Sequence, residues 1–234
     1  YDDELKFIFE DSINDQGQLL IFVGTRASTK KVARELSAHV REMLKKDIAD
    51  FKDTKIWHEL STKIIVSENT TDTVKHLREY LECGIAFHHA GLSMKHRKLV
   101  EEGFKSGSIS CIVATPTLAQ GINLPSRTVV VRDFKRWDDG KSSVIPVREI
   151  LQMMGRAGRP KYDKRGKAWI IAYDKEEGWN AENLAKKYFH GKVEDLVSKL
   201  SDPKAESIEE DTALLSHVLS AISTAGTTDR DSID

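Results

Sequence analysis

Five short, strongly apolar runs rich in β-branched residues constrain the fold of this chain more than any other feature. Each run has the length of a buried strand. Segments with apolar residues at helical spacing lie between them. Strands that alternate with helices are typical of an α/β fold, in which helices cover both faces of a mostly parallel sheet. The predicted strands span residues 18–23, 84–88, 110–114, 128–132 and 167–173.

The helical pattern is clearest in the segments that connect the first strands. Ser93 is a typical N-cap residue directly before one of these segments, and Gly107 lies just beyond its end, where glycine commonly terminates a helix. Residues 48–63 are less regular and are predicted to form an inserted helical excursion. The other predicted helices span residues 28–48, 70–81, 94–104, 176–189, 193–200 and 207–224.

A change of pattern near residue 203 indicates a domain boundary. Ser201-Asp202-Pro203 interrupts the helical pattern, and the residues after it are too few to bury a core of their own. The sequence therefore predicts one domain over residues 1–203 and the opening of a second over 204–234. The chain begins at Tyr1 without a methionine and ends in a polar tail, so we expect it to be part of a longer protein.

The composition excludes several classes of protein. Hydrophobic residues make up 39% and charged residues 31% of the chain, which is typical of a globular protein. Its 36 Lys and Arg balance 37 Asp and Glu, which excludes a generally basic polyanion binder but not a local basic surface. No apolar run approaches the roughly 18 residues of a membrane span. Cys83 and Cys111 are expected to be buried thiols in a reducing compartment, so the expectation is an intracellular protein without a membrane segment.

Two kinds of ligand site are missing from the sequence. Gly140-Lys141-Ser142 resembles the end of a phosphate loop, but Lys135 stands where that loop needs glycine, and no Asp-Glu-x-His or Asp-Glu-x-Asp box is present. The chain is therefore not expected to hydrolyse ATP by itself. Three histidines suggest a metal site, but no cysteine pair lies at ligand spacing, so we expect no bound metal ion. These histidines are His88, His89 and His96.

A basic segment over residues 152–160 carries the strongest chemical signal. Arg156 and Arg159 are three residues apart and are separated by small residues, so they are predicted to share one side of a helical turn with accessible guanidinium groups. Such a pair can stabilise the charge that develops on a transferring phosphoryl group. A solvated basic loop is the alternative interpretation.

Polar residues follow three of the predicted strands. Thr25 and Arg26 come after the first strand, and His89 and Gly91 after the second. The third strand ends in Thr115-Pro116-Thr117, and a turn with Gly121 and Asn123 follows. Parallel sheets bind ligands at the carboxyl ends of their strands, where hydroxyl and amide groups can hold a nucleic-acid phosphate. Plain strand-to-helix connections are the alternative for each loop.

Together these segments resemble the second motor lobe of superfamily 2 helicases, in the Ski-like branch. "FVGTRAS", "FHHAGLS", "VATPTLAQGINLPS" and "QMMGRAGRP" are similar to motifs IV, IVa, V and VI, in the expected order and over about residues 18–175. The longer stretches "ATPTLAQGINLPS" and "QMMGRAGRPKYD" most resemble the archaeal Hjm-type DNA repair helicases. "YFHGKVEDLVSKL" is similar to that family's passage into a winged-helix domain.

The resemblance implies a RecA-like fold and a role for several residues at a shared ATP site. Arg156 and Arg159 match the arginines that reach the γ-phosphate, and Gln152 matches a position that couples nucleotide to nucleic acid. Gly121 and Asn123 match positions near the nucleotide. ATP and Mg²⁺ are expected to be held mainly by a first RecA-like lobe that lies outside this sequence.

The resemblance also implies a set of residues that hold the backbone of single-stranded nucleic acid. Contacts of this kind do not read bases, so binding is expected to tolerate any sequence and to weaken with salt. The matching residues are Thr25, Arg26, His89, Gly91, Thr115 and Thr117.

The interval over residues 131–149 corresponds to a strand-separating β-hairpin in the same family. The sequence predicts one strand over 128–136, another over 143–147, and a turn at residues 138–140. Phe134 and Trp137 are expected to stack on the last base pair, with Arg136 between them in the hairpin. An ordinary surface hairpin is the alternative.

The function implied by these matches is ATP-driven unwinding of single-stranded or forked DNA by a monomeric motor, in repair or replication restart. A Ski-like RNA helicase lobe stays open as an alternative, because these motifs hardly separate DNA from RNA. A lobe that only binds nucleic acid or protein partners is a second alternative, which the intact Arg156 and Arg159 disfavour. An unrelated dinucleotide-binding enzyme is disfavoured because no G-x-G-x-x-G follows the first strand.

Overall fold

A computed structural model describes residues 2–46, 54–66, 70–118, 124–138, 141–160, 162–173 and 179–194. The chain divides into a compact unit, Tyr1–Val193, and a second unit, Glu194–Asp234. Beyond Glu194 the second unit lies outside the described residues, as do nearly all of the predicted helix over 193–200 and the whole of that over 207–224. The domain boundary near residue 203 therefore stays a prediction.

A five-stranded parallel sheet forms the centre of the first unit. Its strands are β1 Leu19–Phe22, β2 Ile85–His88, β3 Cys111–Ala114, β4 Thr128–Val131 and β7 Lys167–Ile170, in the order β2-β3-β1-β4-β7. Leu19 lies level with Cys111 on one side and with Thr128 on the other, so the central strands begin and end together. All five predicted strands are confirmed, and so is the α/β architecture.

Burial of the strands follows from their position in the sheet. Every residue of β1 to β4 is buried, because helices cover both faces of a parallel sheet. Val129 and Val130 have no exposed surface. Strand β7 lies at the edge, where Trp169 is 40% exposed.

Seven helices are described, and two of them, the first and the sixth along the chain, were not predicted. The first helix carries buried Leu5, Ile8 and Phe9 at helical spacing and packs these residues into the core. The helices are α1 Asp2–Asn14, α2 Arg26–Lys45, α3 Thr54–Thr62, α4 Asp72–Leu81, α5 Met94–Lys105, α6 Val147–Met154 and α7 Ala181–Tyr188.

The predicted ends of α5 are confirmed. The Ser93 hydroxyl accepts a hydrogen bond from the His96 N–H at 3.3 Å and caps the helix. Gly107 lies just beyond the other end with a φ of +80°, a left-handed conformation that glycine adopts without strain. Helix α5 therefore begins and ends where its sequence specifies.

The hairpin exists, but the prediction of one continuous strand over 128–136 is wrong. Strand β4 ends at Val131, and the hairpin strands β5 Lys135–Asp138 and β6 Lys141–Val144 pair with each other in an antiparallel manner. The Asp133 carboxylate accepts a hydrogen bond from the Gly24 N–H at 2.8 Å, and Phe134 turns into the core. These two contacts turn the chain out of the sheet between β4 and β5. The second strand also ends earlier than predicted, because Val147 already belongs to α6.

No helix in the described part of the chain is long and apolar enough to cross a membrane.

Candidate functional site

The carboxyl ends of β2, β3 and β1 lie side by side, because these strands are neighbours in register. This edge, called the carboxyl edge below, brings together the loops that begin at Val23, His89 and Thr115. The structure therefore assembles the polar residues that the sequence placed on three separate strand ends.

Thr25 and Arg26 form the opening of α2 at the carboxyl edge. Thr25 Oγ1 accepts a hydrogen bond from the Ser28 N–H at 3.0 Å and thereby caps the helix. Arg26 is exposed, and a Cβ added to Gly91 would lie 3.6 Å from its Nη1. The loops after β1 and β2 therefore lie close together at Arg26 and Gly91.

His89 is a buried, neutral hydrogen-bond donor beside Arg26. Burial is the main cause that lowers its pKa to about 4, and the charges of Arg26 and Lys30 lower it further. The Gly91 N–H donates to His89 Nδ1 at 3.1 Å, which assigns the ring proton to Nε2. Nε2 makes no hydrogen bond to any residue that the structure describes. A buried donor normally has a partner, so this N–H is an unsatisfied polar group beside the loop.

Thr115 and Thr117 complete the described part of the carboxyl edge. Their hydroxyl oxygens are 2.9 Å apart, and the Thr115 N–H extends the sheet by donating to the His88 carbonyl at 3.3 Å. Gly121 and Asn123, predicted to lie near the nucleotide, fall outside the described residues. Within the described ranges, no group of three His, Cys, Asp or Glu side chains is arranged to hold a metal ion.

The arginine segment lies beyond the end of α6. The prediction that its two arginines share a helical turn is therefore wrong. The helix ends at Met154, and Gly158 has a φ of +93°, which a helix cannot contain. Ser126 fixes the segment: its N–H donates to the Arg156 carbonyl at 2.9 Å, and the Gly158 N–H donates to its carbonyl at 2.7 Å. Gln152 is exposed on α6, and Arg156 is half-buried.

Arg159 is held by Asp163 through three hydrogen bonds. Its Nε donates to Oδ2 and its Nη2 to Oδ1, both at 2.9 Å, and its backbone N–H donates to Oδ2 at 2.9 Å. These hydrogen bonds lower the pKa of Asp163 and raise that of Arg159. Only Arg159 Nη1 is less tightly held, at 3.4 Å from Gln18 Oε1.

The arginine segment lies at the amino ends of the strands, called the amino edge below. Gln18 directly precedes β1, and Ser126 lies just before β4. Gly166, directly before β7, packs so closely against Gly158 that a Cβ on Gly166 would clash with the Gly158 backbone nitrogen. The predicted phosphoryl-binding and nucleic-acid-binding residues are thus at opposite ends of the same strands.

The hairpin places its aromatic residues differently from the prediction. Phe134 is 3% exposed and stacks between Trp179 and Tyr188, with ring centroids 5.5 and 5.3 Å away. A ring buried in this way cannot stack on a base pair, so the assignment of Phe134 to strand separation is corrected to anchoring the hairpin. Arg136 pairs with Glu149 of α6. The backbone of Trp137 lies in β5.

Sequence reasoning missed the residues that position the arginine segment. Asp163 lies four residues after Arg159, a spacing at which opposite charges commonly pair, so a local signal was present. Gln18 and Ser126 contact the arginine segment from distant parts of the sequence, and no local pattern marks such contacts.

A parallel α/β lobe with an arginine segment at one edge and phosphate-compatible loops at the other has the architecture of RecA-like motor domains. Residues 40–161, about half of the chain, match the helicase conserved C-terminal domain family. The chain belongs to this family.

Three archaeal relatives carry the name "ATP-dependent DNA helicase Hel308". The chain is 39% identical over 227 residues to the protein of Methanocella arvoryzae, which is 95% of the chain and 28% of that relative. Against the Pyrococcus horikoshii protein it is 43% identical over 193 residues, 82% of the chain and 25% of the relative. Against the Caldivirga maquilingensis protein it is 35% identical over 224 residues, 94% and 27% respectively. The chain thus spans about a quarter of each relative.

These comparisons confirm the resemblance found in the sequence, to a second lobe of superfamily 2 helicases of the archaeal Hjm type. The comparisons support the family assignment alone. The roles of single residues at the two edges stay proposals.

Proposed function

We propose that this chain is the second motor lobe of an ATP-dependent DNA helicase that unwinds single-stranded or forked DNA. The relatives that match it along most of its length are named for that activity. A first RecA-like lobe of the same polypeptide supplies the phosphate loop and the Mg²⁺ site, since neither motif is present in this sequence. Residues 204–234 open a winged-helix domain that follows the lobe.

The observation that carries the proposal is the separation of the two functional edges. Arg159 lies at the amino edge, whereas Arg26 and His89 lie at the carboxyl edge. One lobe can then contact a nucleotide at one end of its sheet and a strand of nucleic acid at the other. A motor lobe needs both contacts at the same time.

At the amino edge, Arg156 and Arg159 act as the arginines that stabilise charge on the γ-phosphate. The residues present fit this role, because Arg159 is held on one side by Asp163 while its Nη1 is only loosely bound. Gln152 couples this edge to the nucleic acid. Gly121 and Asn123 line the nucleotide side of the cleft between the lobes.

At the carboxyl edge, the loops hold the phosphate backbone of one strand. Arg26 offers a positive charge, and the neutral His89 offers an Nε2–H donor that has no partner among the described residues. The Thr115 and Thr117 hydroxyls, the Thr25 loop and the backbone at Gly91 add polar contacts. None of these groups is arranged to read a base, so binding is sequence-tolerant.

The hairpin β5–β6 separates the duplex ahead of the strand. Trp137 is the aromatic residue proposed to stack on the last base pair, Arg136 supports the hairpin against α6, and Phe134 anchors its base. This division of roles follows from the burial of Phe134.

The test is the ATPase activity of the full-length protein with matched single-stranded DNA and RNA at fixed salt. Stimulation by DNA alone is the expected result. Stimulation by RNA, alone or equally, would instead assign the lobe to an RNA helicase of the same branch. Absence of ATPase activity with either nucleic acid would contradict the motor function and favour a lobe that only binds.

A further inference from the structure

Asp163 is the most tightly engaged acidic side chain at the amino edge. Its side chain is 1% exposed, and both carboxylate oxygens accept hydrogen bonds from Arg159. The pair is formed side-on, through Nε and Nη2 of the guanidinium. This geometry fixes the plane of the guanidinium group and leaves Nη1 directed away from the carboxylate.

A second cation, Arg127, lies near Asp163. Arg127 Nη1 lies 3.9 Å from Asp163 Oδ1, and the same nitrogen donates to the Asp15 carbonyl at 2.9 Å. Lys167 Nζ in turn donates to the carboxylate of Asp11, in the first helix, at 2.8 Å. It also donates to the carboxylate of Asp15, in the turn after that helix, at 2.9 Å. Asp163 is thereby tied to the body of the lobe through a chain of alternating charges.

The backbone is fixed on both sides of Arg159. The Gly158 N–H donates to the Ser126 carbonyl just before it, and the Arg159 N–H itself donates to Asp163 Oδ2. A free arginine side chain has rotamer entropy, which an arginine acting in a transition state has to lose. An arginine held beforehand in one orientation loses less, and this raises the rate of the step that it serves.

We propose that Asp163 is a positioning residue for Arg159: it holds the guanidinium group in the plane and direction in which Nη1 meets the transferring phosphoryl group. The inference rests on the proposed function of Arg159. Asp163 contacts neither ATP nor nucleic acid in this role and acts only through the arginine.

The same contact would have the opposite effect if Asp163 held Arg159 away from the nucleotide. In that case, loss of the carboxylate charge would release the arginine and increase turnover. The two roles therefore predict opposite signs for one substitution.

The experiment compares four forms of the full-length protein: wild type, Asp163→Asn, Arg159→Ala and the double variant. ATP turnover is measured with saturating single-stranded DNA, and KM for ATP is measured alongside. For Asp163→Asn we expect kcat to fall by about 10- to 100-fold with little change in KM, because a misplaced catalytic group costs rate rather than binding. In the Arg159→Ala background the same substitution should have almost no further effect, since its target is gone.

Two further variants separate positioning from folding. Asp163→Glu keeps the charge but lengthens the side chain, so it should retain thermal stability and still lower kcat at unchanged KM. Asp72→Asn makes the same carboxylate-to-amide change on the exposed surface of α4, where the side chain is 84% exposed, and should leave kcat unchanged. If Asp163→Asn does not fold, the Asp163→Glu series carries the same comparison.

Each other outcome overturns the inference in a recognisable way. An increase in kcat would show that Asp163 restrains the arginine, and losses that multiply in the double variant would show a structural role independent of Arg159. If Arg159→Ala abolishes turnover while Asp163→Asn and Asp163→Glu match wild type, only the positioning role fails. If the wild type has no ATPase activity, or Arg159→Ala matches it, the proposed function fails together with the inference.

Discussion

At the scale of single residues, Arg159 owes its position to the two glycines around which its loop is built. Gly158 adopts a φ of +93°, and Gly166 packs against the Gly158 nitrogen where any side chain would clash. The chain can therefore leave α6, contact Ser126 and present Arg159 at the amino edge within a few residues. The position of the Arg159 side chain therefore depends on two neighbouring glycines, where a larger residue would not fit.

Replacing Arg159 with alanine should lower ATP turnover of the full-length protein by roughly 10³-fold or more, as loss of an arginine finger does. ATP binding should be largely retained, because the first lobe holds the phosphates. Turnover at saturating DNA and ATP affinity by equilibrium binding check the two parts. Arg165→Ala, at an exposed position six residues further along the chain, is the matched control. Unchanged turnover in Arg159→Ala would remove the finger assignment.

His89 should make the stability of the lobe depend on pH. Its pKa is lowered from 6.5 to about 4, so between these values the unfolded chain binds a proton that the folded chain does not. Stability therefore rises with pH over this window and is lost as pH falls, by about 2 kcal/mol at pH 5 relative to pH 8. His88, whose pKa burial also lowers, contributes in the same direction.

The variant His89→Asn tests this pH dependence. The amide oxygen can replace Nδ1 as acceptor for the Gly91 N–H, whereas the titrating ring is gone. Denaturant unfolding at several pH values between 4 and 8 should then show a shallower slope than in the wild type. His58→Asn, on the exposed side of α3, removes a histidine without touching the carboxyl edge. An unchanged slope in His89→Asn would show that another group causes the dependence.

At the scale of elements, the strands were predictable and the hairpin was only partly so. A buried parallel strand such as 128–131 is apolar at every position, and that signal needs no partner to be recognised. The end of β4 depends instead on Asp133 meeting Gly24 and on Phe134 meeting Trp179, contacts that join residues far apart in sequence. An aromatic residue in a hairpin sequence therefore predicts neither exposure nor burial by itself.

In the candidate site too, the parts marked by a local sequence pattern could be predicted, and the parts fixed by contacts between distant residues could not. Loops after neighbouring parallel strands must meet at one edge, so Thr25, His89 and Thr115 could be grouped from the strand pattern alone. The position of Arg159 depends on where the chain goes after α6, which local spacing does not encode. Helix α1 did carry a local signal, with Leu5, Ile8 and Phe9 at helical spacing, and was missed although the pattern was sufficient.

The corrected role of Phe134 predicts that Phe134→Ala damages the fold rather than the strand-separating surface. Removing a ring that stacks between Trp179 and Tyr188 leaves a cavity at the base of the hairpin, and the expected loss of unfolding free energy is about 3–5 kcal/mol. Chemical denaturation of the variant measures it. A loss below 1 kcal/mol would contradict the anchoring role.

Trp137→Ala is the companion change in the same hairpin. In the full-length protein it should lower the unwinding rate of forked DNA while DNA-stimulated ATPase activity is retained, because a stacking contact contributes roughly 1–3 kcal/mol at the base pair alone. Unwinding and ATPase assays on the same preparation give the comparison. An equal loss of both activities would argue against a strand-separating role for Trp137.

At the scale of the whole molecule, the sheet keeps the two edges apart and joins them rigidly. Strands of four residues separate the edges by about 10–13 Å, and the strands between them are fully buried. Substitutions this far apart with no shared partner usually act independently. An effect that passes from one edge to the other should therefore need the second lobe and movement of the cleft between the lobes.

This arrangement predicts a reciprocal independence of Arg26 and Arg159 in the full-length protein. Without ATP, Arg26→Ala should weaken binding to single-stranded DNA equally for all sequences and reduce the slope of log affinity against log salt by about 1, because one phosphate contact is lost. Arg159→Ala should leave that affinity and slope unchanged. Conversely, Arg26→Ala should leave kcat within about twofold once DNA is saturating, since the amino edge is intact.

Titrations at several salt concentrations with two unrelated DNA sequences measure the DNA affinity and its salt slope, and turnover at saturating DNA measures kcat. A fall in DNA affinity with Arg159→Ala, or a sequence-dependent loss with Arg26→Ala, would show that the two edges do not divide the work in this way.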